Sequence, residues 1–442
     1  MKLLHTGDLH LGKSLHEQSL LEDQRVMLDQ LANELGKDRY AALVIAGDVY
    51  DRTIPGAEAV ELFSDFLVTV RERHPELDVC IIPGNHDSAQ RLSFADRILG
   101  TQRIHIIGNP ADSFAPIILG NGGERLAIFL LPFLAAGTLK PVGSDRPEGF
   151  ASGSTAGSAA GNNPGQVRNS LEFDFSQNED DRALPADRPL LSQAELAGEA
   201  SRRFAEALAK KELAGIPTVL VAHLFTLAGV SSESERIFLG QAEQVNPSLF
   251  SRFSYVALGH LHRCQKVTDR MYYSGSPLAY SFDEAGFAKN FLKVEIDGAS
   301  PGFPVSVTPI PVVPHRAVTR LAGSFTDFHT GTAFDRHAAD WLEITLNDGA
   351  LVANPMNLLK PKFPGLLSIR QDFGDAFCGA SETDGAEENG LAAETNGTAA
   401  RRDAAQNPVS DFRAFEDMLH QGIDEDRVKL FTSLLSECAD EA

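Results

Sequence analysis

Cysteine is scarce in this chain. Cys80, Cys264, Cys378 and Cys438 stand far apart with no Cys-x-x-Cys spacing. That pattern argues against a disulfide framework and against a thiolate zinc ribbon, and a reduced compartment is the simplest inference. Long apolar runs are missing too, so no transmembrane segment and no membrane partner is expected. The opening MKLLHTGDLH is too short and too quickly polar for a signal peptide. The expectation is a cytoplasmic protein. Positive charge is also in short supply: 39 Lys and Arg face 61 Asp and Glu, a net charge of −22. Such a balance does not advertise nucleic-acid binding. A local basic groove can still sit on an acidic body, and a cation-holding site needs carboxylates.

What is present is globular in character. The 442 residues, 43% hydrophobic and 23% charged, suffice for two or three domains. KLLHT reads as a strand, and Leu20 to Leu35 carries apolar residues at helical spacing. AALVIAG and DVCIIPG read as short buried strands around a helical AEAVELFSDFLVTVRER. This alternation predicts an α/β fold. ERLAIFLLPF, IPTVLVAHLF, YVALGHLH and KNFLKVEID continue the strands, and SQAELAGEASRRFAEALAKKE supplies another helix. The first domain is expected over 1–312, interrupted at about 141–188 by a Gly-, Ser- and Asn-rich insert. Composition predicts that this insert is mobile, and dispensable over 153–181. A small strand-helix-strand unit is expected over 313–376, an acidic disordered linker over 377–408 and a helical tail over 409–442. The tail shows two apolar faces, one with Phe412, Phe415, Met418 and Leu419, the other with Val428, Leu430, Phe431, Leu434 and Leu435. It reads as a docking element for a partner.

The chemistry lies at strand ends. Five apolar runs lead into polar loops: GDLH (Asp8, His10), GDVYD (Asp48, Asp51), GNHD (Asn85, His86, Asp87), AHLF (His223) and GHLH (His260, His262). Ligands of open α/β folds gather at the carboxyl ends of strands, so distant loops can converge. Glycine is expected to permit the tight turn that aims each side chain inward. The two histidines of GHLH point the same way if the backbone stays extended. Taken singly, each loop has a bland explanation, such as a turn or a strand-end histidine. All five in this order, each behind a strand, leave little room for it. Oxygen and imidazole donors without thiolate suit manganese, iron or mixed first-row sites. The donors exceed the needs of one ion, and two ions bridged by a carboxylate would use them to clamp a phosphoryl group.

The ordered set Asp-x-His, Gly-Asp-x-x-Asp, Gly-Asn-His-Asp, His, Gly-His-x-His resembles that of calcineurin-like metallophosphoesterases. GDVYDRTIPG, PGNHDSAQRL, VLVAHLFTLAG, YVALGHLHRCQ and YYSGSPLAYSFDE are similar to one branch, the SbcD family of nuclease subunits from bacterial SbcCD complexes. The resemblance runs from Met1 to about Arg370 and weakly through the tail. It implies a two-sheet sandwich flanked by helices, a small α/β capping domain and a C-terminal helical tail. It implies two divalent metal ions, Mn2+ by preference. One would be held by Asp8, His10, Asp48 and His262, the other by Asp48, Asn85, His223 and His260, with Asp48 bridging. His86 would act beside the phosphate as acid or transition-state stabiliser. By analogy with calcineurin-like phosphatases, the Asp51 carboxylate would hold its ring, and Asp87 would brace the loop. The implied partners are DNA and an SbcC-like SMC ATPase, with a homodimer inside a heterotetramer.

The function expected is a DNA exonuclease on duplex ends and endonuclease on single-stranded or hairpin DNA. Arg91 and Arg263, beside the metal loops, are candidate phosphate contacts. Two other readings stay open. One is a phosphatase or cyclic-nucleotide phosphodiesterase on the same scaffold, and the other is a protein that senses DNA ends without cutting.

Overall fold

The computed structural model describes residues 1–120, 124–140, 189–226, 244–372, 412–413 and 427–432. The expectations for 141–188 and 377–408, and for most of 409–442, fall outside them. Residues 1–377 form one compact unit and 378–442 another.

Among the described residues the first unit contains seventeen strands: β1 (Lys2–Thr6), β2 (Ser14–Leu15), β3 (Gln18–Ser19), β4 (Ala42–Ala46), β5 (Asp78–Ile82), β6 (Ile104–Ile106), β7 (Ile117–Leu119), β8 (Leu126–Leu131), β9 (Thr218–His223), β10 (Tyr255–Gly259), β11 (Gln265–Thr268), β12 (Met271–Tyr273), β13 (Asn290–Ile296), β14 (Val305–Pro311), β15 (Val318–Gly323), β16 (Trp341–Leu346) and β17 (Leu366–Gln371). One six-stranded sheet runs β14-β13-β1-β4-β5-β6, parallel from β1 to β6 and antiparallel at β13 and β14. The second runs β11-β12-β10-β9-β8-β7, parallel from β12 to β8.

Period-two packing explains why both sheets are apolar on each face. In β4, Ala42, Val44 and Ala46 turn towards the second sheet, where Ile128, Val219, Val221 and Ala257 meet them in a shared core. Leu43 and Ile45 turn outward onto α1 (Leu21–Leu35) and α2 (Ala57–Arg73), against Met27, Leu31, Phe63 and Phe66. Phe129, Leu220 and Leu258 pack on the Leu196, Ala200 and Phe204 face of a third helix, Gln193–Leu208. A Ser192–Glu195 capping box starts that helix. The result is a helix–sheet–sheet–helix sandwich. His5 ties its inner layers together, with Nδ1 3.0 Å from the Tyr255 hydroxyl and Nε2 3.2 Å from the Leu258 carbonyl. Burial lowers its pKa to about 3.

Beyond β14 lies a parallel three-stranded sheet, β15-β16-β17, with its own small core around Phe328, Leu342, Ile344, Leu359 and Phe363. The sequence pattern missed β14, whose VSVTPIP carries two prolines. It is the edge of its sheet, where a missing amide donor is tolerated. In the second unit, Phe412 and Phe431 stack with centroids 4.2 Å apart.

Candidate metal centre

The parallel strands β1, β4, β5, β9 and β10 all run the same way within their sheets, so their carboxyl ends share an edge. At that edge the loops are knitted by main-chain bonds. The amides of Asp8, His10 and Leu11 donate to the carbonyls of Gly47, Asp48 and Val49 at 3.0, 2.9 and 2.9 Å. Gln24, from α1, donates to the His10 carbonyl at 2.7 Å and accepts from the Gly12 amide at 2.9 Å.

The loops are strained where the candidate ligands sit. Asp8, His10, Asp48 and His260 have φ of 52°, 43°, 48° and 104°. Each costs on the order of 1–3 kcal/mol and persists only under dense support. GHLH is therefore not extended as expected. The chain turns at His260, and the two histidines go to different neighbours. Gly47, with φ of 91°, makes the expected turn, whereas two other glycines differ from expectation. At Gly84 a Cβ would lie 2.2 Å from Asp48 Oδ1, and at Gly259 it would lie 1.7 Å from the Ala46 carbonyl oxygen. Close approach, rather than turn conformation, demands glycine at these two places.

The side chains then converge. His10 Nε2 lies 3.1 Å from His262 Nε2 and 3.7 Å from Asp48 Oδ2. The same Asp48 oxygen is 3.5 Å from His223 Nε2. His223 Nε2 and His260 Nδ1 stand 2.9 and 3.0 Å from Asn85 Oδ1 and 3.3 Å from each other. Asp8 accepts from the His260 amide at 2.9 Å and lies 3.9 Å from His223 Nδ1. Asp48 is thus shared between a His10–His262 group and an Asn85–His223–His260 group. Donor atoms of Asp8, Asp48 and His223 lie within 4.8 Å of one another, as do those of His10, Asp48 and His86.

Electrostatics set the protonation. Burial lowers the pKa of His10 to about 4 and of His260 to about 3, and also lowers that of His223. Burial alone would raise the Asp48 carboxyl, but His223, His10 and His86 hold it down at about 2. Neutral imidazoles around an ionised carboxylate are a metal-ready set. The outer ring nitrogens of His262 and His223 have hydrogen-bond partners, and that of His10 faces a carboxylate. His262 Nδ1 lies 2.9 Å from the ionised Glu284 carboxylate, His10 Nδ1 3.5 Å from Asp51 Oδ1 and His223 Nδ1 2.9 Å from the Ala46 carbonyl. With Nδ1 of His262 and of His223 turned to outside acceptors, their Nε2 atoms are left to face the centre, and this set of imidazole, carboxylate and amide donors fits two divalent ions.

The expected His86–Asp51 pairing is corrected. His86 Nδ1 meets the main-chain carbonyl of Asp51 at 3.0 Å. The Asp51 carboxylate instead takes Lys13 Nζ at 2.7 Å and faces His10. Lys13 offers that carboxylate a charge-assisted hydrogen bond. His86 also lies edge-to-face on His10, centroids 4.8 Å apart, and its amide donates to Asp48 Oδ1 at 2.9 Å. Asp87 accepts from the amides of Val49, Tyr50 and Gly84 at 3.0, 2.9 and 2.9 Å, lacing the GNHD loop to the GDVYD loop. Arg91 and Arg263 are exposed, the latter 5.0 Å over the Phe287 ring. Sequence reasoning missed Gln24, Tyr280 and Glu284, because nothing in a lone polar residue of a helix or loop marks it as support for a distant site.

The chain is similar to several known proteins. The calcineurin-like phosphoesterase family model matches residues 1–140. The chain is 30% identical over 384 residues to the SbcD subunit of nuclease SbcCD from Bacillus subtilis, covering 84% of this chain and 86% of that protein. It is 27% identical over 371 residues to the SbcD subunit of nuclease SbcCD from Staphylococcus saprophyticus, covering 84% of each. Among solved structures, TT1561 of Thermus thermophilus aligns with a TM-score of 0.34 at 12% identity, over 70% of this chain and 98% of that one.

Proposed function

The chain belongs to the SbcD family of calcineurin-like metallophosphoesterases, and from that premise we propose a metal-dependent nuclease that hydrolyses phosphodiesters at DNA ends and in single-stranded or hairpin DNA. The observation that carries this reading is the convergence of imidazole nitrogens on the shared Asp48 carboxylate. Asp8, His10, Asp48 and His262 hold one divalent ion, and Asp48, Asn85, His223 and His260 hold the other, with Mn2+ the expected metal. When bound, the ions polarise the phosphoryl oxygens and acidify the attacking water. The protein's own residues do the rest. Asp48 fixes the spacing of the two groups. His86, whose Nδ1 lies 3.0 Å from the Asp51 carbonyl, would act as an imidazolium, giving its Nε2 proton to the leaving oxygen and itself becoming neutral. Arg91 and Arg263 take phosphates of the DNA strand. Residues 313–376 serve as a capping unit.

In this reading the chain works as a homodimer with an SbcC-like SMC ATPase, docked through 409–442. The test is manganese-dependent release of nucleotides from duplex DNA, set against turnover of a chromogenic phosphomonoester. Nuclease activity without comparable monoester turnover supports the reading. Monoester turnover alone would assign the site to a small-substrate phosphatase.

A further inference from the structure

The motif YYSGSPLAYSFDE contributes no candidate ligand, yet the chain folds it behind the metal centre. Its Tyr280 hydroxyl donates to the Leu9 carbonyl, and the ring lies edge-on to His10 at 5.5 Å. Its Glu284 is almost wholly buried at 1% exposure. One oxygen accepts from His262 Nδ1 at 2.9 Å, and the other meets Lys289 Nζ at 2.5 Å. Lys289 Nζ also donates to the His262 carbonyl at 3.0 Å and to Ser276 Oγ at 2.8 Å. The chain of contacts closes on itself: His262 ring, Glu284, Lys289, His262 main chain.

We propose that Glu284 is the positioning residue of one metal site only. With Lys289, it fixes the tautomer and aim of His262. A carboxylate on Nδ1 forces the lone pair onto Nε2 and makes that nitrogen a stronger donor. Lys289 holds the far oxygen of that carboxylate and pins the His262 backbone, so ring and main chain are held by one ammonium group. In the other group the Asp8 carboxylate stands 3.9 Å from His223 Nδ1, beyond hydrogen-bond distance. His223 Nδ1 is held by a neutral main-chain carbonyl, which orients the ring without adding charge. The two sites are therefore built with different donor strength.

This inference rests on the two-metal reading, and the test separates the two. Manganese is titrated calorimetrically into metal-free full-length protein, wild type and Glu284→Gln. Two binding events in the wild type uphold the two-metal reading, and their absence overturns both it and this inference. Glu284→Gln keeps size and shape. It is expected to weaken one event by about 10–100-fold and leave the other within about twofold. Lys289→Met, which leaves Glu284 in place, should weaken the same event less. Unfolding midpoints of the metal-free variants should stay close to wild type. Equal loss of both events, or no loss in either, overturns the assignment. A metal-free variant that fails to fold assigns Glu284 and Lys289 to structure instead.

Discussion

His10 Nε2 and His262 Nε2 face each other at 3.1 Å, while their outer nitrogens face the carboxylates of Asp51 and Glu284. Two ring nitrogens aimed at one point beside Asp48 form a place for a cation that only the folded chain provides. Saturating manganese should raise the unfolding midpoint of chelator-treated protein, by the equivalent of about 2.7 kcal/mol at a hundred times Kd. In Asp48→Asn, which removes the shared charge, the rise should shrink and metal per chain should fall. A rise as large as in wild type would contradict a bridging Asp48.

His86 and Asp51 should separate under mutation. His86→Asn is expected to keep both metals and DNA binding and to lose turnover by about 10²–10⁴. Asp51→Asn changes the partner of His10 Nδ1 and leaves the carbonyl that His86 uses. Its main effect should be weaker manganese binding, with turnover restored by excess metal. Identical profiles for the two variants would return Asp51 to the role of His86's holder.

Gly84→Ala places a methyl group 2.2 Å from Asp48 Oδ1 and 2.5 Å from its amide nitrogen. It should destabilise the fold by about 1–3 kcal/mol and lower metal content as Asp48 is displaced. Urea unfolding and metal analysis of the same preparation check both. A stable variant with full metal content would mean that the loop yields freely.

His5 predicts an acid dependence. Its folded pKa lies near 3 against 6.5 for a free imidazole, because burial disfavours the charged ring. Below about pH 6.5 the unfolded chain binds a proton that the fold refuses. This contribution to stability is present above 6.5 and declines as pH falls towards 3. Its slope is at most about 1.4 kcal/mol per pH unit. His5→Asn should remove that component, so the difference in unfolding free energy between variant and wild type should narrow on acidification. A difference that is flat from pH 7 to 5 would show that His5 is not buried neutral.

Removal of residues 409–442 should leave manganese-dependent nicking and abolish stimulation by ATP and binding of the SMC-type partner. Unfolding of the shortened chain would place the tail in the core.

The apolar periods of β1, β4, β5, β9 and β10 and of the helices around them lie open in the sequence, because a strand buried on both faces must be apolar throughout. The loops GDLH, GDVYD, GNHD and GHLH were legible for a similar reason: donor residues of those types behind strands have few other uses. Local pattern could not say which nitrogen faces which oxygen. That Asp51 turns to Lys13 and His10, leaving His86 to a main-chain carbonyl, follows from where a lysine five residues past Asp8 comes to rest. That Gly84 and Gly259 are glycines for want of space depends on Asp48 and Ala46, contributed by another strand. Glu284 is 22 residues from His262 in the chain, and only the folding of YYSGSPLAYSFDE behind the site gives it a partner. Patterns of burial are local and repeat along the chain. Contacts between side chains of distant segments exist only once the two sheets have closed on each other.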